Sequence, residues 1–148
     1  VELGGALKNV IAIASGAADG LGFGTNTKAA LVTRGLAEIS RLGAAMGAQE
    51  KTFSGLSGLG DLITTCFSPH SRNRHVGEEI GRGKPVAEVT GGMVQVAEGV
   101  TTAKSGYELS KKHRVEMPIT TSVYQVLYEG RPARETVRDL MLRPPKPE

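Results

Sequence analysis

Lys8 occupies the setting in this sequence that most invites chemistry. Between Glu2 and Asp19 the only other obviously polar side chains are Asn9 and Ser15. Gly4, Ala12 and Ser15 fall at helical spacing from Lys8 and line its face with small side chains. A face of that kind lets a ligand or another backbone come close. A lysine held there is partly withdrawn from water, which eases loss of its proton and suits it to general acid or base work. The alternative is a lysine whose aliphatic stem lies along the helix while its ammonium reaches solvent.

Asp61 stands in Gly58-Leu-Gly-Asp-Leu-Ile-Thr-Thr-Cys66. It is expected to head a short apolar helix, where the helix dipole favours an acid. Capping alone accounts for such a residue. The functional reading is that Asp61 pairs with Lys8 and holds its amine in place, which spacing cannot establish. Ser71-Arg-Asn-Arg74 opens a helix directly after a break at Ser68 to His70. Free backbone N–H groups, a hydroxyl, an amide and a guanidinium converge there, a combination that suits phosphate. A solvated basic helix start is the competing reading.

Two other patterns fail. Gly20-Leu-Gly-Phe-Gly24 lacks the G-x-G-x-x-G spacing and follows a helix instead of a strand, so it reads as a helix terminator and turn. Cys66, His70 and His75 are ligand-type residues with loose spacing and no evident fourth member, so no metal site is expected.

The elements that must position these residues read as helices joined by glycine and proline. Leu3 to Ala18 is apolar almost all round, which predicts burial. Thr27 to Gly47 is amphipathic, with Val32, Leu36, Ile39 and Met46 on one face and Arg34, Glu38 and Arg41 on the other. A glycine-rich loop through Gly55, Gly58 and Gly60 leads to a short helix around Asp61 to Cys66. Ser71 caps a helix to about Ile80. Gly81 to Gly92 is loop-rich with room for one helical turn, and Gly99 to Arg114 is helical. Pro118 and Pro132 each take a first helical position, and the tail from Arg143 should fray. Alternating strand patterns are missing, so the fold class is all-α, a single domain over residues 1–148.

Composition sets the bounds. Of 148 residues 39% are hydrophobic and 22% charged, the profile of a globular chain. With no tryptophan and only 4% aromatics, aliphatic side chains must fill the core. The 20 glycines are many for a helical chain and point to close helix contacts or ligand approach. A net charge of +3 with mixed signs gives weak support for a small anionic ligand and no case for nucleic acid. No apolar run is long enough to span a bilayer. One cysteine excludes an internal disulfide and makes an intracellular setting the default. No signal-peptide pattern leads the chain, which reads as the middle of a longer one.

Taken together, five stretches resemble the C-terminal domain of NAD(P)-dependent glycerol-3-phosphate dehydrogenases. They are Glu2-Leu-Gly-Gly-Ala-Leu-Lys-Asn-Val-Ile-Ala-Ile-Ala, Asn26-Thr-Lys-Ala-Ala-Leu31, Gly58-Leu-Gly-Asp-Leu-Ile-Thr-Thr-Cys66, Ser71-Arg-Asn-Arg74 and Val96-Ala-Glu-Gly-Val100. From Thr101 onward the match is mainly one of helical pattern. The resemblance implies a multi-helix domain similar to the C-terminal domains of 6-phosphogluconate dehydrogenase relatives. It implies that Lys8 gives and takes the proton. Asn9, Asp61, Thr65, Ser71, Arg72 and Asn73 would line the substrate site, and Arg72, Val96 and Glu98 would reach NAD or NADP. The implied reaction interconverts dihydroxyacetone phosphate and sn-glycerol 3-phosphate, in the cytoplasm, in a homodimer that feeds phospholipid synthesis. The family's N-terminal Rossmann domain is absent from this chain, so the cofactor would lie between two halves of the enzyme. The rivals are a related hydroxy-acid or sugar-acid dehydrogenase and a non-catalytic helical module for dimerisation or phosphate sensing.

Overall fold

The computed structural model describes residues 2–47, 56–92 and 97–144. Among them are eight helices and no strand: α1 (Glu2–Gly20), α2 (Thr25–Ala45), α3 (Leu56–Phe67), α4 (Arg72–Gly81), α5 (Val86–Gly91), α6 (Glu98–Lys112), α7 (Pro118–Tyr128) and α8 (Ala133–Leu142). The all-α expectation holds.

The apolar α1 is the axis of the core, touching α2, α3, α4, α6, α7 and α8. Leu7 and Ile11 on α1 are fully buried against Leu31, Leu42, Leu62, Met117 and Ile119. Each such side chain contributes about 1.5–3 kcal/mol when withdrawn from water. Gly22 ends α1 in the left-handed region at φ 84°, and the Phe23 N–H donates back to the Ala18 carbonyl at 3.0 Å. Gly20, expected to break the helix, is its last residue.

The glycines explain how so many neighbours crowd one helix. Gly16 and Gly20 of α1 face Gly77 and Gly81 of α4. A Cβ on Gly16 would overlap the Arg74 carbonyl, and one on Gly77 the Ile13 carbonyl. The two helices therefore meet backbone to backbone. Gly35 on α2 and Gly106 on α6 make room for the Ile11 and Leu7 side chains in the same way.

Two helices have their first turns capped from elsewhere in the fold. Glu38 of α2 is fully buried and accepts from the Ile119 N–H, the Thr120 N–H and the Thr120 hydroxyl at 2.8–2.9 Å. Asn73 of α4 accepts from the Gly99 N–H of α6 at 2.8 Å. Neither α6 nor α7 has a side-chain cap of its own.

Several local expectations are corrected. Gly58 and Gly60 lie inside α3, and Gly55 lies outside the described residues. Asp61 is therefore in the body of α3 and not at its head, so the dipole does not explain it. Glu38 is on the inner face of α2 because it caps α7, while Met46 is exposed. The turn allowed for between Gly81 and Gly92 is the short α5. Pro132 is the N-cap of α8 and not its first residue, whereas Pro118 does open α7. Most of the tail expected to fray lies outside the described residues.

Candidate active site

Lys8 projects from the second turn of α1 toward α3. Its Nζ lies 3.4 Å from Asp61 Oδ2. The amine is 29% exposed and the carboxylate 70%. A pair so open to water contributes little to stability. At 3.4 Å it is a long contact, and what it shows is that the two side chains meet. One turn along α3, the half-buried Thr65 donates its hydroxyl to the Asp61 carbonyl at 2.8 Å. This places Thr65 on the same face as Asp61, with its hydroxyl turned onto its own helix.

Ser71 caps α4 as expected. Its Oγ accepts from the Arg74 N–H at 3.1 Å, with the backbone extended at φ −70°, ψ 120°. Arg72 follows and is exposed, a guanidinium at the positive end of a helix and open to a ligand. Asn73 is buried and spends its oxygen on Gly99, which leaves its NH₂ as the group with hydrogens to offer. Gly99 is also closed in by α1: a Cβ there would sit 2.7 Å from Asn73 Oδ1 and 2.8 Å from the Asn9 carbonyl oxygen. The turn of α1 carrying Lys8 and Asn9 therefore meets the first turns of α4 and α6. Glu98 is the first residue of α6 and is exposed. Val96 lies outside the described residues.

Sequence reasoning missed the ionic cluster behind this corner. Asp19, near the end of α1, accepts from Lys28 Nζ at 2.8 Å and from Arg74 Nε at 3.0 Å. Arg74 also pairs with Glu78 at 2.8 Å. The i,i+4 spacing of Arg74 and Glu78 was legible, but nothing in the sequence points from α1 to Lys28. Cys66 is buried beside Ser15, and burial pushes its thiol up to about 11, so it is no nucleophile. His70 and His75 are exposed, and no group of three candidate ligands gathers for a metal among the described residues.

A family model described as the NAD-dependent glycerol-3-phosphate dehydrogenase C-terminus matches residues 1–138. The chain belongs to that family. A glycerol-3-phosphate dehydrogenase [NAD(P)+] of Geobacter sp. (strain M21) is 62% identical over the whole chain, which covers 44% of that protein. One from Prosthecochloris aestuarii is 59% identical, with 45% of it covered. Among solved structures, the glycerol-3-phosphate dehydrogenase of Coxiella burnetii superposes on 96% of this chain with a TM-score of 0.92 at 42% identity. That match takes in 44% of the Coxiella chain. The enzyme from Saccharomyces cerevisiae matches 95% of this chain and 41% of its own, with a TM-score of 0.82 at 33% identity. This glycerol-3-phosphate dehydrogenase C-terminal domain thus spans less than half the length of these relatives, and its helical fold is theirs.

Arg72 and Glu98, the two described residues expected to reach a dinucleotide, are both exposed at helix starts. Among the described residues there is no strand, and so no strand–turn–helix of the kind that cradles a pyrophosphate. No helix among them is long and apolar enough to cross a membrane.

Proposed function

We propose that this chain is the substrate half of an oxidoreductase interconverting dihydroxyacetone phosphate and sn-glycerol 3-phosphate with NAD(P)H. The observation that carries this reading is the 3.4 Å approach of Lys8 Nζ to Asp61 Oδ2, on the turn of α1 that also meets the start of α4. A binding module has no use for an amine held by a carboxylate at the rim of its site.

When bound, the nicotinamide supplies the hydride equivalent to the carbonyl carbon. The chain's own residues manage the proton and the phosphate. The Lys8 ammonium donates a hydrogen bond to the carbonyl oxygen, stabilises the negative charge growing there, and hands over its proton. In the reverse direction the neutral amine takes the hydroxyl proton. Asp61 holds Nζ in line. Arg72 meets the phosphate with a planar fork, and the capped helix start at Ser71 and the Asn73 NH₂ add neutral donors. Asn9 and Thr65 border the site. Arg72 and Glu98 form the edge that faces the cofactor, and the family resemblance assigns Val96 to the same role.

The same reading assigns the dinucleotide to a Rossmann domain outside this chain, and the enzyme to a cytoplasmic homodimer serving phospholipid synthesis. The first of these assignments is supported by family membership and by the fraction of each relative that this chain spans.

The test pairs the chain with a dinucleotide-binding half. The assembled enzyme should oxidise NADH in the presence of dihydroxyacetone phosphate, while residues 1–148 alone should be helical by circular dichroism and inactive. An assembled enzyme that ignores dihydroxyacetone phosphate but accepts a hydroxy-acid substrate pair would overturn the proposal.

A further inference from the structure

We propose that Asp19 is a positioning residue for phosphate recognition: one of its carboxylate oxygens holds both Lys28 and Arg74, and through them sets the corner between α3 and α4 from which Arg72 and Asn73 reach the substrate. This role rests on the proposed function, and it adds three residues that the reaction itself does not call for.

Asp19 Oδ2 accepts from Lys28 Nζ at 2.8 Å and lies 3.0 Å from Arg74 Nε and 2.9 Å from Arg74 Nη2. The cluster is largely withdrawn from water. The Lys28 side chain is 8% exposed and that of Arg74 18%. Buried pairs of this kind commonly do no better for stability than apolar side chains of the same volume. Two cations on one oxygen are a poor way to fill space. What the cluster does supply is direction.

Its two arms reach the two ends of one connection. Arg74 is in the first turn of α4, and its N–H is the donor that Ser71 caps. Lys28 Nζ lies 4.1 Å from the centroid of the Phe67 ring, at the last residue of α3. The segment between them carries Ser71 and leads directly into Arg72. The glycine seam already ties α4 to α1, but through backbone contact that makes no bond to α3. α3 already packs on α1 through Leu62 and Cys66, and the Lys28 arm adds a polar contact at its last residue, where the chain turns toward α4. The proposed site needs Arg72 and Asn73, at the start of α4, held where the phosphate lies, and that placement is what the cluster fixes.

Asp19 does not act on the proton itself. At 1.5 Å per residue it lies about 16 Å along α1 from Lys8. Its influence passes through Arg74 and Phe67.

The experiment uses the enzyme assembled from this chain and its dinucleotide-binding half. Asp19→Asn keeps the shape and removes the charge. KM for dihydroxyacetone phosphate should rise about tenfold, equivalent to about 1.4 kcal/mol of binding. The inhibition constant of inorganic phosphate should rise by the same factor, and kcat should stay near wild type. Lys28→Arg, which keeps a cation for both Asp19 and the Phe67 ring, should restore most of the phosphate affinity that Lys28→Met loses. A merely structural cluster would lower the melting temperature of Asp19→Asn and leave KM and the phosphate constant unmoved, which overturns the proposal. If Asp19→Asn fails to fold, the Lys28→Met and Lys28→Arg pair decides by the same two constants. A wild-type assembly without turnover overturns the proposed function and this role with it, whereas an active wild type with an unchanged Asp19→Asn KM overturns this role alone.

Discussion

Asn73 Oδ1 accepts the Gly99 N–H at 2.8 Å, so a residue at the start of α4 caps the start of α6. The bond is buried and joins helices that are distant in sequence. It leaves the Asn73 NH₂ for the phosphate contact that the proposed function assigns to it, so Asn73 would have two tasks. The tasks separate by substitution. Asn73→Ala should lose about 1–2 kcal/mol of stability, the usual worth of a helix cap, and should also weaken substrate binding. Asn73→Asp keeps the acceptor, so most of the stability should return, but it sets a negative charge against the phosphate. Urea titration and KM for dihydroxyacetone phosphate, measured on both variants, should move apart in the Asp variant. Parallel movement would leave Asn73 a cap and nothing more.

Arg72 is exposed and is spoken for by no carboxylate among the described residues. Arg72→Ala in the assembled enzyme should weaken substrate binding by roughly 1.5–3 kcal/mol, the range for a hydrogen bond to a charged group. Arg72→Lys should recover only part of it, because a point charge does not replace a planar fork. An Ala variant with unchanged KM and kcat would make Arg72 a solvated surface residue.

The seam between α1 and α4 predicts a sharp steric effect. Gly77→Ala places a methyl group where the Ile13 carbonyl oxygen already is. Overpacking typically costs about 1–3 kcal/mol, and here the obstacle is backbone, which cannot rotate aside. The loss should lie at or above the top of that range. Gly60→Ala, with open space around its Cβ, should be neutral or slightly stabilising, since alanine is the better helix former. Melting temperatures of the two variants decide it.

The fold was legible where local chemistry dominates. The apolar run of α1, the periodicity of α2 and the serine cap of α4 each signal a helix from nearby residues alone. Failures came where a distant partner sets the outcome. By periodicity Glu38 groups with Arg34 and Arg41, on the face of α2 opposite Val32, Leu36 and Ile39. It is buried because the backbone N–H groups of Ile119 and Thr120, 81 and 82 residues away, need an acceptor. Glycines read as a loop before Asp61 form the first turns of α3 instead. Of the site, Lys8, Asp61 and the Ser71 to Arg74 start were visible by residue type. The meeting of Lys8 with Asp61 spans 53 residues, and spacing could not supply it. The Lys28–Asp19–Arg74 cluster left no sequence signal, because its members sit on three helices whose packing is fixed by glycines.

Lys8 separates chemistry from structure cleanly, because its pair with Asp61 is open to water. Lys8→Ala should change stability by less than about 1 kcal/mol, as expected for an exposed pair. In the assembled enzyme it should lower kcat by about 10²–10⁴-fold, the usual loss of a general acid. Lys8→Arg should not rescue, since arginine keeps its proton. Single-turnover reduction and melting temperature, taken on one preparation, distinguish the roles. A folded Lys8→Ala enzyme reacting at the wild-type rate would remove Lys8 from the mechanism.

Glu38 gives the fold a pH dependence of predictable sign. Burial raises its pKa from 4.5 to about 7, against the pull of the Thr120 and Ile119 hydrogen bonds. The folded state therefore holds a proton between pH 4.5 and 7 that the unfolded state has released. Stability from this group is fully present below the lower value and is lost as pH rises through the upper one, by ~3 kcal/mol in order of magnitude. Above about pH 7.5 its contribution should be flat. Glu38→Gln cannot ionise. It keeps one acceptor oxygen for the α7 cap but sets an NH₂ against a donor, so it should be less stable than wild type at pH 5. Its stability should then change less than that of wild type between pH 5 and pH 7.5. Urea titrations of both proteins at those two pH values give the difference directly, and equal pH slopes would mean that Glu38 stays ionised throughout as a charged cap.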